Sequence, residues 1–352
     1  MEYGNDISGM LELMVQPAFA VKDNLVRCVN RAAAGQLIEP GMPISQLLRT
    51  GKEEYAQLSD GELYLMVETA ACLTGASVRK VQGFDLFVLE ACNGSPQLQA
   101  LALAARSLRE PLAGAMLAAD KLAHASNAET ESDAAALNQR LHQLLRVIGN
   151  MSDAERYAQP GHHRLELQNI GAVLDEILEK AAVLLEQAGI TVRYQPLAEE
   201  VLCPLDREIL ERAIYNILSN AAKNAPKGTI DIQITKKRNL LVLSFLDTGN
   251  ETEASPLPTV HGRYLRQPGL EDLRSGIGLG MVMIHAAAAA HEGTVLVDKP
   301  REGGTRITLT LRILPFKNAG FHSPILRVDY TGERDHALVE LSEQLPADLY
   351  KK

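Results

Sequence analysis

The sequence predicts an α+β protein of several domains: a small α/β domain, a two-helix hairpin and an α/β sandwich. At 352 residues the chain is too long for a single hydrophobic core. The apolar pattern also changes along the chain, from short segments broken by turns, to helical spacing, to a mixture of strand and helix periods. We therefore expect domains at residues 1–92, 93–160 and 161–315, followed by a tail, 316–352, whose role the sequence does not indicate.

The composition and charge of the chain argue against several classes of function. The net charge is −9, from 35 basic and 44 acidic residues, and no cluster of Lys or Arg forms a basic arm, so direct binding to nucleic acid is disfavoured. No stretch approaches the ~18 apolar residues of a membrane span, and residues 1–10 lack the pattern of a signal peptide. We expect a soluble, cytoplasmic protein. The four cysteines lack C-x-x-C spacing, which predicts neither a zinc site nor a disulfide framework.

The N-terminal segment mixes short apolar runs with turn residues, as in a small α+β domain. Residues 16–33, QPAFAVKDNLVRCVNRAA, resemble the opening strands of a PAS sensor domain. Asn30 and Ala32 stand where such domains leave the second strand for a helix. This resemblance implies a sensor module, and an unrelated small α+β domain is the alternative.

Two long amphipathic helices are predicted next. Apolar residues advance by threes and fours over 98–122 and again over 137–151, with the polar run Ser126–Asp133 between them. The resulting hairpin has apolar seams too narrow to be covered by the two helices alone. Dimerisation into a four-helix bundle would cover them. A monomer whose hairpin packs on its own neighbouring domains is the alternative.

From His163 onward the pattern predicts a mixed sheet with helices on one face. One helix is predicted from an N-cap at Asp206 to Ala225, and another covers about 279–290. A further helix covers 170–187. Strands are expected at 164–167, 191–194, 230–235, 240–246, 294–297 and 306–311.

Three pieces of this region carry the chemistry. Asn216, Asn220 and Lys223 lie at i, i+4 and i+7 on one helical face, so that two amides and an ammonium can point together at a metal-bound triphosphate. Asp247 ends an apolar strand, where its carboxylate could accept the exocyclic amine of adenine. The glycine-rich run 275–281, SGIGLGM, leads into a helix, where backbone N–H groups can approach phosphate.

In order and spacing these pieces closely resemble the N, G1 and G2 boxes of the GHKL ATPase superfamily, specifically the catalytic domain of sensor histidine kinases. The resemblance extends from about residue 164 to 311. It implies ATP and Mg²⁺ as cofactors, with Asn220 on the metal and Asn216 and Lys223 on the phosphates. It also implies that Asp247 binds adenine. The resemblance further assigns to the nucleotide site the residues Gly249, Gly276, Gly278, Gly280 and Thr305.

The sequence departs from that family at the phosphoacceptor. Residues 105–112, ARSLREPL, resemble the family's H-E-L-R-T-P-L box, but Arg106 replaces the acceptor histidine and Ser107 the adjacent acid. A guanidinium has no lone pair with which to attack a phosphate, and a serine cannot serve as the neighbouring carboxylate base. In the G1 box Glu251 replaces the second glycine, and residues 250–275 lack phenylalanine. The base glutamate of gyrase and HSP90 relatives is absent too, since Asn216 stands there.

Three hypotheses follow. The first is a homodimeric ATP-binding signalling protein of the two-component type, without autophosphorylation at the usual position, that acts on a response regulator or a partner kinase. The second is an active histidine kinase that uses His124 or His142 as acceptor; His124 lies about 27 Å beyond Arg106 along a straight helix. The third is a dimeric sensor or interaction module that works without nucleotide.

Overall fold

The computed structural model describes residues 3–90, 96–125, 130–157, 164–249, 279–301, 303–313 and 335–351. The N-terminal part contains helix α1 (Tyr3–Glu12), strands β1 (Ala18–Lys22) and β2 (Leu25–Val29), short helices α2 (Arg31–Ala34), α3 (Ile44–Leu47) and α4 (Lys52–Gln57), and strands β3 (Glu62–Glu68), β4 (Leu73–Val81) and β5 (Phe84–Leu89). The five strands are antiparallel in the order β2-β1-β5-β4-β3.

Asn30 explains why the chain leaves β2 for a helix. Its side-chain oxygen accepts hydrogen bonds from the backbone N–H of Ala33, which caps α2, and from that of Ala18 in the neighbouring strand. Its amide group donates to three backbone carbonyls, one in the last turn of α1 and two between α1 and β1. One buried asparagine thus ties together the first helix, the first strand and the exit from the second strand.

The predicted hairpin is confirmed. It consists of α5 (Pro96–Ala125) and α6 (Glu131–Tyr157). One seam is buried, formed by residues such as Ala105, Leu112, Met116, Leu141 and Ile148. Other leucines of the hairpin stay exposed: Leu103, Leu108, Leu117, Leu122, Leu137 and Leu144. The two helices therefore cover only part of their apolar surface.

The C-terminal part agrees closely with the predicted pattern. Its elements are β6 (Glu166–Asn169), α7 (Ile170–Gln187), β7 (Thr191–Tyr194), β8 (Leu202–Leu205), α8 (Arg207–Asn224), β9 (Thr229–Lys237), β10 (Leu240–Asp247), α9 (Leu279–Ala290), β11 (Val295–Asp298), β12 (Arg306–Arg312), α10 (His336–Glu340) and a 3-10 helix, Ala347–Tyr350. Among the strands that the structure describes, β7 and β9 are the one parallel pair. Strand β8, which the pattern did not predict, pairs with β6.

The N-terminal strands and most of the C-terminal strands form one continuous sheet, which the sequence did not predict. Strand β3 pairs antiparallel with β11, giving a ten-stranded sheet in the order β2-β1-β5-β4-β3-β11-β12-β10-β9-β7. Tyr64 of β3 stacks on His285 of α9, with ring centroids 3.9 Å apart, and its hydroxyl lies 3.2 Å from Glu90. The N-terminal strands are thus joined directly to the helix that follows the glycine-rich run.

Cys72 takes part in a disulfide bond, so the expectation that the cysteines form no disulfide is wrong, because the spacing of cysteines along the chain does not determine which of them meet in the fold. Cys28 and Cys203 are free thiols. Among the described residues no helix is long and apolar enough to cross a membrane, and no group of His, Cys, Asp or Glu has the arrangement of a metal site.

Candidate functional site

Helix α8 positions the predicted amide face. It begins at Asp206, whose carboxylate accepts a hydrogen bond from the backbone N–H of Ile209, as predicted for an N-cap. One side of the helix is apolar and buried against the sheet. The opposite side carries the polar residues, so Asn216, Asn220 and Lys223 follow one another along a single face. Asn216 is buried, whereas Asn220 and Lys223 are half-buried.

Asp247 lies beside the C-terminal end of this face. One carboxylate oxygen accepts hydrogen bonds from the backbone N–H groups of Gly249 and Thr305, at 3.0 and 3.1 Å. The other accepts from the side chain of Asn224, one residue beyond Lys223, at 3.2 Å. The carboxylate is buried, 3% exposed, and is held in place from three elements. The end of β10 is therefore joined to the C-terminal end of α8 through Asn224.

Two glycines allow the backbone to come close at this site. A Cβ on Gly280, at the start of α9, would lie 2.8 Å from the side-chain oxygen of Asn216. Gly304 has a positive φ of 78°, and a Cβ there would lie 1.9 Å from the backbone oxygen of Asp247. Larger residues cannot occupy these positions without displacing the site. Gly276, Gly278 and Glu251 lie outside the described residues.

The N-terminal half of the polar face is surrounded by buried charges. Glu340 of α10 accepts hydrogen bonds from the guanidinium groups of Arg146 and Arg212, at 3.2 and 3.3 Å. The side-chain amide of Asn216 contacts both Arg146 and Glu340. Its oxygen accepts a hydrogen bond from Arg146 at 3.2 Å, and its nitrogen donates one to Glu340 at 3.4 Å. The side chains of Arg212 and Glu340 are completely buried.

Arg212 also joins α8 to the hairpin. Its guanidinium forms an ion pair with Asp153 and donates a 2.7 Å hydrogen bond to Asn150, both on α6. A buried guanidinium needs several acceptors because each unmet donor would be costly in an environment without water. Here the partners come from α6 and α10, so the hairpin and the C-terminal segment are both fixed to α8 through one side chain.

Polar side chains in the C-terminal half of this face of α8 also have partners in residues 335–351. Lys223 forms an ion pair with Glu343, and Glu343 lies 3.3 Å from Arg146. Burial acts to raise the pKa of Glu343, but the positive charges of Arg146 and Lys223 outweigh it and lower the pKa below the usual value. Ser219 donates to the side chain of Gln344 at 3.0 Å. No hydrogen bond joins the side chain of Asn220 to the described part of the chain.

The two positions of the acceptor box are exposed on α5. Arg106 is exposed, and the Ser107 hydroxyl donates back to the carbonyl of Ala104 at 2.8 Å. Of the two alternative histidines, His124 is exposed, with Nδ1 2.7 Å from the carbonyl of Asp120. His142 is buried, with its ring against that of Tyr350 at 4.9 Å between centroids.

Several residues of the site were missed by the sequence analysis. Arg212 stands four residues before Asn216, so continuing the same helical face would have found it. Arg146, Asn150 and Asp153 fall at i, i+4 and i+7 on α6, a polar stripe beside the apolar seam. Glu340 and Glu343 gave no signal, because the mixed charges of the tail do not indicate where it packs.

The family model described as histidine kinase-, DNA gyrase B- and HSP90-like ATPase matches residues 205–315. The chain is 25% identical over 205 residues, 56% of its length, to the sensor protein KdpD of Clostridium acetobutylicum, and covers 22% of that protein. It is 26% identical over 181 residues, 50% of its length, to the sensor histidine kinase CusS of Escherichia coli K12, and covers 37% of it.

A third relative is the adaptive-response sensory kinase SasA of Gloeothece citriformis, which is 28% identical over 232 residues; these cover 61% of this chain and 57% of the relative. Among solved structures, full-length ShkA in complex with AMPPNP gives a TM-score of 0.48 at 21% identity, covering 61% of this chain and 46% of that one. The chain spans less than two thirds of the length of each of these relatives. The chain is therefore similar to sensor histidine kinases over part of its length, and its residues 205–315 match the model of the histidine kinase, DNA gyrase B and HSP90 type of ATPase.

Proposed function

We propose that this protein is a signalling protein of the two-component type that binds ATP with Mg²⁺ and does not autophosphorylate at the usual position of the hairpin. The observation that carries the proposal is the junction of α8 and β10. The amide face of α8 ends at Asn224, which is hydrogen-bonded to Asp247. This hydrogen bond supports a single site, in which the carboxylate proposed for the base lies beside the helical face proposed for the phosphates and the metal ion.

Each residue of the site has a role that its chemistry supports. The Asp247 carboxylate is fixed by backbone N–H groups and by Asn224, so it can accept the amine of adenine without reorganisation. Asn220 offers an amide oxygen, a ligand type that Mg²⁺ accepts, from a half-buried position. Asn216 and Lys223 can hold phosphate. Bound Mg²⁺ would neutralise phosphate charge. Gly249, Gly276, Gly278, Gly280 and Thr305 complete the proposed site through their backbone.

The absence of ordinary autophosphorylation rests on the side chains of the acceptor box. Phosphoryl transfer needs an acceptor with a free lone pair and a group that orients it or removes its proton. The Arg106 guanidinium offers no free lone pair to a phosphate, and the Ser107 hydroxyl donates to a backbone carbonyl. Neither side chain can play the part of the missing histidine and acid.

Dimerisation belongs to the proposal as well. The exposed leucines of the hairpin include pairs separated by 14 and by 7 residues, Leu103 with Leu117, Leu108 with Leu122, and Leu137 with Leu144. These spacings repeat along one side of a helix in a heptad pattern. A second copy of the chain would cover them in a four-helix bundle.

A response regulator or a partner kinase is the proposed recipient of the signal. A PAS-type sensor is proposed for the N-terminal domain, and the order of its strands supports this.

A second candidate function is an active kinase with an unusual acceptor. Exposure favours His124 over His142, because a buried ring against Tyr350 offers no room for a phosphate. Incubation with ATP labelled on the γ-phosphate distinguishes the two functions. The proposal predicts no acid-labile label on the protein. A label that disappears in His124→Ala would establish the kinase instead.

Nucleotide binding itself is tested with a fluorescent ATP analogue in the presence of Mg²⁺. We expect saturable binding that Asp247→Ala weakens at least about tenfold. The double substitution Arg106→His with Ser107→Glu then restores an acceptor and should gain phosphorylation if the catalytic domain is intact. Failure of the analogue to bind would contradict the proposed function and favour a sensor module that works without nucleotide.

A further inference from the structure

The segment of residues 335–351 is built into the core. Ala337, Val339 and Leu341 are fully buried. Helix α6 holds the backbone of the segment: Gln139 donates to the carbonyls of Ser342 and Leu345, at 3.0 and 2.6 Å, and Gln143 donates to that of Ser342 at 3.0 Å. These contacts fix the position of the segment independently of its charged side chains.

This segment runs along the polar face of α8, in the same direction as that helix. His336 lies 3.8 Å from Glu211 near its N-terminal part. Glu340 contacts Arg212 and Asn216 one turn further on. Glu343 and Gln344 then reach Lys223 and Ser219. The segment therefore presents side chains to the same residues that the proposed function assigns to phosphate.

The chemistry of these contacts resembles that of a bound polyphosphate. Two carboxylates satisfy two guanidinium groups, one ammonium and one amide, as phosphate oxygens do when they bind such groups. Triphosphate and the segment would need the same donors, and two carboxylates beside a triphosphate would repel it. Simultaneous occupation of Lys223 and Asn216 by both is therefore unfavourable.

We propose that residues 335–351 are an internal ligand of the nucleotide site, in which Glu340 and Glu343 hold the phosphate-binding groups and must be released when Mg²⁺·triphosphate binds. The inference rests on the proposed function. The Glu343 contact is released first, since this side chain is 30% exposed whereas that of Glu340 is 0% exposed. Arg146 of the hairpin then loses a carboxylate partner and becomes available to a phosphate, which couples nucleotide binding to α6.

The test uses the full chain and a fluorescent ATP analogue with Mg²⁺, followed by anisotropy. Glu343→Gln removes the charge while keeping the size of the side chain, and it should tighten binding about 3- to 10-fold. Glu292→Gln is the matched control, since Glu292 also forms an ion pair, with Arg312, but on the surface outside the site. The control should bind the analogue with the affinity of the wild type.

Hydrogen exchange of the wild-type chain supplies a second measurement that needs no substitution. The amides of Val339, Leu341 and Leu345 donate within the segment, to Asp335, Ala337 and Leu341. Saturating Mg²⁺·ATP should increase their exchange rates several-fold if the segment is released.

The outcomes separate the two proposals. An unchanged or weaker affinity in Glu343→Gln, or amides that exchange no faster with nucleotide bound, overturns the inference while the wild type still binds nucleotide. A segment that only stabilises the fold would give that result. Failure of the wild type and both variants to bind the analogue contradicts the proposed function itself. Tighter binding in Glu343→Gln alone, with faster exchange in the wild type, supports the internal ligand.

Discussion

Replacing Arg212 by alanine is the substitution whose cost the structure predicts most sharply. It removes the common partner of Asp153, Asn150 and Glu340, and leaves two carboxylates buried without it, Glu340 at 0% and Asp153 at 6% exposure. Removing one partner of a buried ion pair costs about 3–5 kcal/mol. Since a domain is stable by only about 5–15 kcal/mol, we expect a large fraction of the free energy of unfolding to be lost.

Urea denaturation followed by far-ultraviolet circular dichroism measures this loss, because the chain contains no tryptophan to serve as a fluorescent probe. Arg312→Ala is the control: it breaks an ion pair with Glu292 in which both side chains are about half exposed, and should cost only about 0–1 kcal/mol. Adding Glu340→Ala to Arg212→Ala should cost less than the same change in the wild type, because the carboxylate has already lost a partner. A loss below about 1 kcal/mol for Arg212→Ala, equal to the control, would refute the reasoning.

Three further predictions concern other parts of the molecule. Burial raises the pKa of Glu90 to about 7, so the folded state keeps a proton that the unfolded state loses. Stability should therefore fall between about pH 4.5 and 7, and Glu90→Gln should reduce this fall, seen as a melting temperature that depends less on pH than that of the wild type. Because the side chain is one-third exposed, water screening limits the effect to the order of 1 kcal/mol. Leu117→Glu should convert the proposed dimer to a monomer in sedimentation equilibrium, whereas Val183→Glu, an equally exposed apolar residue on α7, should leave the dimer intact. Gly304→Ala should weaken nucleotide binding and lower the melting temperature, because its Cβ would strike the backbone of Asp247; unchanged binding and stability would show that the loop yields.

Local signals in the sequence predicted much of the C-terminal fold. Helix α7 begins and ends where the apolar pattern placed it, and Asp206 caps α8 as its side chain suggested. The positions of Asn216, Asn220 and Lys223 along α8, and of Asp247 at the end of β10, were predicted because helical spacing and strand ends determine which side chains share a face. Such features depend on residues close together in the chain, so the sequence alone contains them.

Contacts between distant segments were not predictable in the same way. The pairing of β3 with β11 depends on two strand edges separated by about two hundred residues, and neither edge has a distinctive pattern. The docking of Glu340 and Glu343 depends on complementary charges brought together only in the folded chain. The positions of Arg146 and Arg212 on the polar faces of their helices follow from their spacing. The sequence does not indicate that both would bind Glu340.

The most direct test of the account is the effect of Mg²⁺ on ATP affinity, measured by isothermal titration calorimetry with the full chain. If the amide face of α8 and Asp247 form one nucleotide site, Mg²⁺ should tighten ATP binding in the wild type by about tenfold or more, and Asn220→Ala should abolish that gain. Ser107→Ala, on the exposed side of α5, should keep it. Equal gains in the wild type and Asn220→Ala, or no ATP binding by the wild type, would contradict the account.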